Sequence, residues 1–108
     1  MPRGSERELT KRIEKMLRRI PNSFCMKLWV SAFTCAGMPD LMFIHNGRSF
    51  FFEVKLPRGK VSPLQKQRME EVKCAGAVVD VVRSVEDVKN ALEKAGVTFG
   101  NCAECQRR

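Results

Sequence analysis

The dipeptide Asn46-Gly47 constrains this chain more than any other feature, because it lies between two apolar runs. A type I′ turn needs positive φ at both central residues, so Asn-Gly in this position predicts a β-hairpin with a two-residue loop. The flanking runs, Leu41-Met42-Phe43-Ile44 and Phe50-Phe51-Phe52, are apolar at consecutive positions. This pattern is typical of central strands that are covered on both faces.

Two carboxylates flank the predicted hairpin at matching distances from its turn. With Asn46-Gly47 as the loop, Asp40 lies directly opposite Glu53, and like charges ~5 Å apart destabilise a sheet. A hard divalent cation between them would stabilise the pair, since Mg²⁺ prefers carboxylate oxygens. Lys55 follows Glu53 by two residues, so it projects from the same face. The hairpin therefore predicts a cation site with a lysine beside it.

This prediction depends on the register of the hairpin. A Gly47-Arg48 loop would pair Asp40 with Lys55, still on one face, whereas a three-residue loop or a bulge would change the pairing. The other interpretation is a surface hairpin with ordinary salt-bridging charges. The apolar flanks disfavour it, because charges in doubly covered strands are unfavourable unless they are paired or bind metal.

Size and composition narrow the class of protein. A chain of 108 residues is expected to form one domain, and it has no run of ~20 apolar residues that could span a membrane. The charged N-terminus is unlike a secretory signal, and five scattered cysteines favour a reducing, intracellular setting over a disulfide framework. The net charge of +8 indicates a polyanionic partner, most often nucleic acid.

Periodicity and capping signals predict seven elements in the order α-β-β-β-α-β-α. They are a helix over residues 5–20, a strand over residues 27–33, the two hairpin strands, a helix from Ser62 to Gly76, a strand over residues 77–82 and a helix from Ser84 to near Gly96. The helix after the hairpin is long enough for a crossover, so the strands that it joins are expected to be parallel. The fold class is thus α/β, a mixed sheet flanked by helices, with residues 1–96 as the domain and 97–108 as a short, mobile tail.

Glu6 and Gln65 each have a structural and a functional interpretation. Glu6 lies on the core-facing stripe of the first helix and so points toward the carboxylates, but at a helix start it also interacts favourably with the helix dipole. Gln65 completes a capping box with Ser62, yet it shares a helix face with apolar residues and could face the site. The pattern alone leaves both pairs of interpretations open.

Four motifs follow one another along the chain: Gly37-Met38-Pro39-Asp40, Glu53-Val54-Lys55, Ser62-Pro63-Leu64-Gln65 and Val81-Val82-Arg83-Ser84. In this combination, together with a Glu-bearing first helix, the chain resembles the VRR-NUC group of the PD-(D/E)xK nuclease superfamily over roughly residues 5–96. The resemblance implies a minimal, free-standing domain with a restriction-endonuclease-like core.

The resemblance also implies roles for individual residues. Asp40, Glu53 and Glu6 would bind Mg²⁺ or Mn²⁺, with the backbone carbonyl of Val54 as a further ligand. Lys55 would be the catalytic lysine, and Gln65 would correspond to the family glutamine as a further catalytic residue. Backbone phosphates of DNA are expected to contact three basic residues that follow the carboxylate-bearing strand, namely Arg58, Lys60 and Lys66.

The implied function is that of a metal-dependent, structure-selective DNA endonuclease. It would cut branched or Holliday-junction-like DNA as a homodimer, in phage or prophage replication, recombination or repair, within the cytoplasm of a bacterial host cell. The alternative is a basic DNA-binding module that keeps the fold without cutting, which retention of Asp40, Glu53 and Lys55 disfavours. Cys102 and Cys105 have the spacing of half a zinc site, but no second close pair accompanies them, so zinc is not expected.

Overall fold

The computed structural model describes residues 5–28 and 36–97, which form a four-stranded mixed sheet with three helices. The elements in chain order are α1 (Glu6–Leu17), β1 (Ser23–Lys27), β2 (Leu41–His45), β3 (Arg48–Val54), α2 (Pro63–Cys74), β4 (Val78–Val82) and α3 (Val85–Lys94). The strands lie in the order β1-β2-β3-β4. The pairs β1–β2 and β2–β3 are antiparallel, and β3–β4 is parallel. The predicted fold class, element order and parallel pair are confirmed.

The hairpin has the predicted two-residue loop. Asn46 and Gly47 adopt φ of 50° and 82°, the positive values that a type I′ turn requires. His45 therefore pairs with Arg48, and the ladder continues in register from there to Leu41 and Phe52. This register places Asp40, one residue before β2, opposite Glu53.

One face of the sheet packs against α1 and α3 and forms the core. Fully buried side chains converge here from three elements: Ile13 and Leu17 of α1, Phe50, Phe52 and Val54 of β3, and Val88 and Leu92 of α3. Burying one large apolar side chain stabilises the fold by roughly 1.5–3 kcal/mol. This packing fixes the backbone of β3. It therefore also fixes where the side chains on the opposite face of β3 begin.

The opposite face carries α2, which contributes no buried residue to the core. Because side chains alternate along a strand, Glu53 lies on this face while its neighbours Phe52 and Val54 point into the core. Ser62 caps α2 through its side chain, and Pro63 occupies the first turn, as the sequence predicts. A hydrogen bond between Gln65 and Glu53 joins the start of α2 to the carboxylate-bearing part of β3.

The first strand lies earlier in the chain than the sequence predicted. It was expected over residues 27–33, but β1 spans Ser23–Lys27, and residues 29–33 lie outside the described part of the chain. Asn22 turns the chain with a φ of 59°, and its carbonyl accepts the N–H of Asn46. The strand therefore begins immediately after this turn, at Ser23, which pairs with His45 of β2.

Both ends of the chain differ in detail from the prediction. Helix α1 ends at Leu17 rather than near residue 20, with Arg18 as its C-cap. Val97, which was assigned to the tail, is buried in the core, while residues 98–108, including Cys102 and Cys105, lie outside the described residues. Within the described ranges, no helix is both long and apolar enough to cross a membrane.

Candidate active site

Asp40 is fixed at the end of the hairpin ladder by two hydrogen bonds. Its Oδ2 accepts the backbone N–H of Val54 at 2.8 Å, so the carboxylate extends the β2–β3 ladder by one bond. Its backbone carbonyl accepts the N–H of Leu28 at 2.7 Å. The carboxylate group is therefore held beside Glu53 by its own position in the sheet.

Glu53 is a buried carboxylate with unequal surroundings at its two oxygens. Only 2% of the residue is exposed. Its Oε2 accepts a hydrogen bond from Gln65 Nε2 at 3.0 Å and lies 3.6 Å from Lys55 Nζ. Its Oε1 is buried and has no hydrogen-bond partner among the described residues. An unpaired buried oxygen on a charged group is strongly unfavourable, so this atom needs a further partner.

The electrostatics of Glu53 reflect the same arrangement. Burial, and then the neighbouring Asp40 carboxylate, raise the pKa of Glu53 from 4.5 to about 7, although Lys55 partly opposes them. The Glu6 carboxylate also raises this pKa, by less than any of the other groups named. Asp40, Glu53 and Glu6 thus form one acidic group whose mutual repulsion is only partly compensated by Lys55. A divalent cation would remove this repulsion.

Gln65 makes both of the contacts between which the sequence left the choice open. Its Oε1 accepts the backbone N–H of Ser62 at 3.0 Å, and the Ser62 hydroxyl accepts the N–H of Gln65, which completes the capping box. Its Nε2 meanwhile donates to Glu53 Oε2. The amide group therefore links the start of α2 to the buried carboxylate and orients the Oε1 atom of Glu53.

Glu6 lies at the open side of the site, in the first turn of α1. It lines a groove together with Asp40 and three basic residues, Arg7, Lys11 and Lys27. Its side chain is exposed, in contrast to Glu53. Glu6 therefore shares a groove with Asp40 but is exposed, unlike the buried residues of the stripe on which the sequence placed it. Its role as a metal ligand stays a prediction.

Gly37 has a structural role that the sequence reasoning did not identify. Its φ is +83°, and a Cβ atom there would lie 2.9 Å from Leu64 Cγ and 3.0 Å from the Leu64 carbonyl oxygen. Only glycine accommodates both the positive φ and this close approach. The first motif thus packs directly on the first turn of α2, which brings Asp40 and Gln65 to the same place.

The chemistry of these donors fits a hard divalent cation. No cluster of three or more His, Cys, Asp or Glu side chains that could hold a metal is found among the described residues. Mg²⁺, however, is commonly bound by one or two carboxylates, with waters and substrate phosphates completing the octahedron. The unpaired Oε1 of Glu53 beside Asp40 supplies such a pair. Val54 donates its N–H to Asp40, and its carbonyl remains a predicted ligand.

The predicted DNA-binding residues lie on the surface of the protein. Arg58 and Lys60 are exposed in the segment after Lys55, and Lys66 is exposed in the first turns of α2.

Arg83, which belongs to the last of the four motifs, donates hydrogen bonds from its side chain to three backbone carbonyls of the segment that holds Arg58. The two strand-end carboxylates, Lys55 and Gln65 are brought together as predicted.

The fold is a single α/β domain, and it brings two carboxylates, a lysine and a glutamine together at one end of the β2–β3 hairpin. The family model described as VRR-NUC domain matches residues 4–86, and the chain belongs to this family, as its motifs predicted. The family is of the nuclease type, and it typically uses a divalent metal ion.

Two solved structures are similar to this chain. One, described as a VRR_NUC domain, is 29% identical with a TM-score of 0.68, over 82% of this chain and 94% of the other. The second, described as a VRR_NUC domain protein, is 20% identical with a TM-score of 0.72, over 87% of this chain and 89% of the other, and it supports the fold alone. A comparison with curated proteins finds no match.

Proposed function

We propose that this protein is a Mg²⁺- or Mn²⁺-dependent DNA endonuclease that hydrolyses phosphodiester bonds in branched or junction DNA. The observation that carries the proposal is Glu53 Oε1, a buried carboxylate oxygen beside Asp40 and Lys55 that has no hydrogen-bond partner within residues 5–28 and 36–97. A purely structural carboxylate would have its hydrogen-bonding capacity satisfied, whereas a metal ligand needs one oxygen left available. Membership of a nuclease family supports the same conclusion.

Asp40 and Glu53 would hold the metal ion, with Glu6 and the Val54 carbonyl as further ligands. When bound, such an ion supplies a Lewis acid for the phosphate and lowers the pKa of a coordinated water. Gln65 keeps the Glu53 carboxylate oriented from its Oε2 side. The side-chain amide of Gln65 also caps α2. We therefore expect metal binding at Glu53 and the position of α2 to depend on each other.

Lys55 is the residue that would act on the reacting groups. Its side chain is only 14% exposed, and its ammonium lies 3.6 Å from Glu53 Oε2. From this place it can orient the attacking water or stabilise negative charge on the phosphate. Removing such a group typically lowers the turnover rate on the order of 10²–10⁴-fold.

DNA would approach across the open side of the site. Arg58, Lys60 and Lys66, which are exposed, would contact backbone phosphates, as would Arg7 and Lys11, which line the groove beside Asp40. Phosphate contacts give affinity without sequence readout. Removing one phosphate-binding side chain should make the plot of log K for DNA binding against log salt concentration less steep, by about 0.9 for duplex DNA. We expect this change for Lys60→Ala and for Lys11→Ala, each tested as a single substitution.

The decisive test is cleavage of fluorescently labelled DNA. Linear, flapped and four-way-junction substrates are incubated with Mg²⁺, Mn²⁺ or EDTA, and the products are separated on denaturing gels. We expect cleavage with either metal, none with EDTA, and a preference for branched substrates. Glu53→Gln should abolish cleavage, and Lys55→Met should lower its rate on the order of 10²–10⁴-fold. Glu93→Gln, which replaces an exposed carboxylate on α3, serves as the matched control.

Two outcomes would overturn this proposal. Undiminished cleavage by Glu53→Gln would show that the activity arises elsewhere or from a contaminant. Absence of cleavage of all three substrates in Mn²⁺, with DNA binding retained, would favour the alternative, a DNA-binding module that keeps the fold without cutting.

A homodimer would allow both strands of a junction to be cut together, since two-fold symmetry matches two symmetric positions. Exposed apolar side chains on edge strand β1 support such an interface: Phe24 is 55% and Met26 is 40% exposed. Sedimentation at micromolar concentration should give a dimer that Phe24→Ser dissociates. A monomer would argue for simple flap cutting or nicking. The expected setting is phage or prophage DNA metabolism in the cytoplasm of a bacterial host.

A further inference from the structure

Arg83 binds a single segment of backbone with one guanidinium nitrogen. Its Nη1 donates to the carbonyl oxygens of Leu56 at 2.7 Å and Gly59 at 2.8 Å, with a longer hydrogen bond of 3.3 Å to that of Pro57. Its own backbone N–H donates to Asp87 Oδ2 at 2.8 Å. Arg83 is therefore anchored at the start of α3 and reaches from there to the segment that follows β3.

The segment that Arg83 binds is a tight turn. The Gly59 N–H donates to the Leu56 carbonyl at 2.8 Å, which closes a four-residue β-turn with Pro57 at its second position. The carbonyls of this turn converge on one guanidinium group, and hydrogen bonds from a charged donor are stronger than those from a neutral one. The side chain of Arg83 thus holds the turn closed.

The closed turn lies against the side chain of Lys55. A Cβ atom at Gly59 would lie 3.4 Å from Lys55 Cδ and 3.3 Å from the Leu56 carbonyl oxygen. The glycine backbone therefore packs on the aliphatic stem of the lysine. A lysine stem has four rotatable bonds and holds one position only where its surroundings restrict it. Gly59 provides this restriction at the point where Lys55 turns toward Glu53.

We propose that Arg83 is a positioning residue, which closes the turn over residues 56–59 and so holds the Lys55 ammonium beside the carboxylate pair. The proposal rests on the proposed nuclease function, because it concerns the residue that would act on the scissile phosphate. It assigns to the last of the four motifs a role in the reaction. Arg83 acts through Gly59 and Lys55 and makes no contact with substrate.

Steady-state kinetics with two substitutions separate this role from packing and from DNA binding. Arg83→Met keeps the stem and removes every donor, whereas Arg83→Lys keeps a cationic donor. Because small misplacements of a reacting group can lower rates by up to about 10²-fold, we expect Arg83→Met to lower kcat at least about tenfold. We expect KM for DNA to remain within about twofold, and Arg83→Lys to recover part of the activity.

The matched control is Arg48→Met, which removes the same charge from a residue that donates to the Ala95 carbonyl, away from the site. Wild-type kcat in Arg83→Met would overturn the proposal. So would a rise in KM at unchanged kcat, because that result would assign Arg83 to DNA binding.

A double-mutant cycle tests whether Arg83 acts through Lys55. In a Lys55→Met background, the added Arg83→Met substitution should lower the residual rate by less than about twofold, since residues that act as a unit are non-additive. An independent tenfold loss in that background would show that Arg83 acts by another route and would refute the proposal.

A measurement without DNA separates failure of this proposal from failure of the nuclease assignment. Relaxation of the ¹³C-labelled lysine ε-methylene groups reports side-chain order, and the Lys55 signal is assigned by its absence in Lys55→Arg. We expect the order parameter of Lys55 to fall in Arg83→Met and to stay at the wild-type value in Arg48→Met. An unchanged value in Arg83→Met overturns the positioning role, whether or not the wild type cleaves DNA.

Discussion

The burial of Glu53 predicts that the metal-free protein is stabilised when this carboxylate is replaced by an amide. Glu53 is 2% exposed, it lies beside Asp40, and one of its oxygens lacks a partner among the described residues. The Glu53→Gln substitution preserves the shape of the side chain and an acceptor for Gln65 Nε2, but it cannot become negatively charged. The substitution therefore removes the charge that the fold tolerates poorly without a metal ion.

The magnitude follows from the pKa of Glu53, which burial and Asp40 raise from 4.5 to about 7. One pKa unit corresponds to about 1.4 kcal/mol, so ionising Glu53 lowers the free energy of unfolding by about 3 kcal/mol. The raised pKa belongs to the folded state, so this contribution to stability is fully present below pH 4.5 and is lost as the pH rises through 7. The opposing effect of Lys55 is already included, since it acts on the same pKa.

The assay is urea denaturation of wild type and Glu53→Gln in EDTA at several pH values from 4 to 8.5. We expect the stability difference, variant minus wild type, to increase by about 3 kcal/mol between pH 4.5 and pH 7.5, which corresponds to a melting shift on the order of 10 °C. Adding Mn²⁺ should stabilise wild type, by about 2.7 kcal/mol at a concentration of 100 times its Kd, and should leave Glu53→Gln unchanged.

The same measurements on Glu93→Gln, whose carboxylate is exposed, control for the loss of one negative charge. A stability difference between Glu53→Gln and wild type that stays constant with pH would refute the argument from burial. Equal stabilisation of wild type and Glu53→Gln by Mn²⁺ would refute the assignment of Glu53 as a metal ligand.

Three further predictions concern the surroundings of this site. Gly37→Ala should lower the free energy of unfolding by at least about 1–2 kcal/mol, because Gly37 has a positive φ and an added Cβ would lie 2.9 Å from Leu64 Cγ. A change below about 0.5 kcal/mol in urea denaturation would contradict this prediction. Gln65→Ala should weaken Mn²⁺ binding about tenfold in calorimetry, because its hydrogen bond to Glu53 is removed, and unchanged affinity would argue against an orienting role. Cys25 is buried and burial raises the pKa of its thiol to about 11, so iodoacetamide at pH 8 should modify it only after denaturation, as detected by peptide mass spectrometry.

Most of the candidate site could be predicted from short segments of sequence. The Asn46-Gly47 turn defines the hairpin register, and the register alone places Asp40 opposite Glu53. Likewise, Ser62 and Gln65 define the start of α2 through a capping box whose atoms lie within four residues. Local interactions of this kind are encoded in adjacent side chains, so they do not depend on the rest of the fold.

The position of the first strand shows where such reasoning fails. The sequence predicts that this strand begins at Lys27, whereas β1 begins four residues earlier at Ser23, where the chain leaves the Asn22 turn and pairs with His45 of β2. Strand formation depends on the partner that is available, and propensity measured along the chain does not contain this information. The same limitation applies to the choice between alternatives at Glu6 and Gln65.

By itself, the sequence determined the order of the elements, the hairpin register and the presence of two facing carboxylates with a lysine, because turn and cap chemistry act over a few residues. Only the tertiary structure decided that Gln65 both caps α2 and binds Glu53, and that Gly37 packs on Leu64. The hydrogen bonds of Arg83 to the turn beside Lys55 join residues 24 to 27 positions apart. Such interactions depend on packing between elements that are distant in the chain, and for that reason no local pattern predicts them.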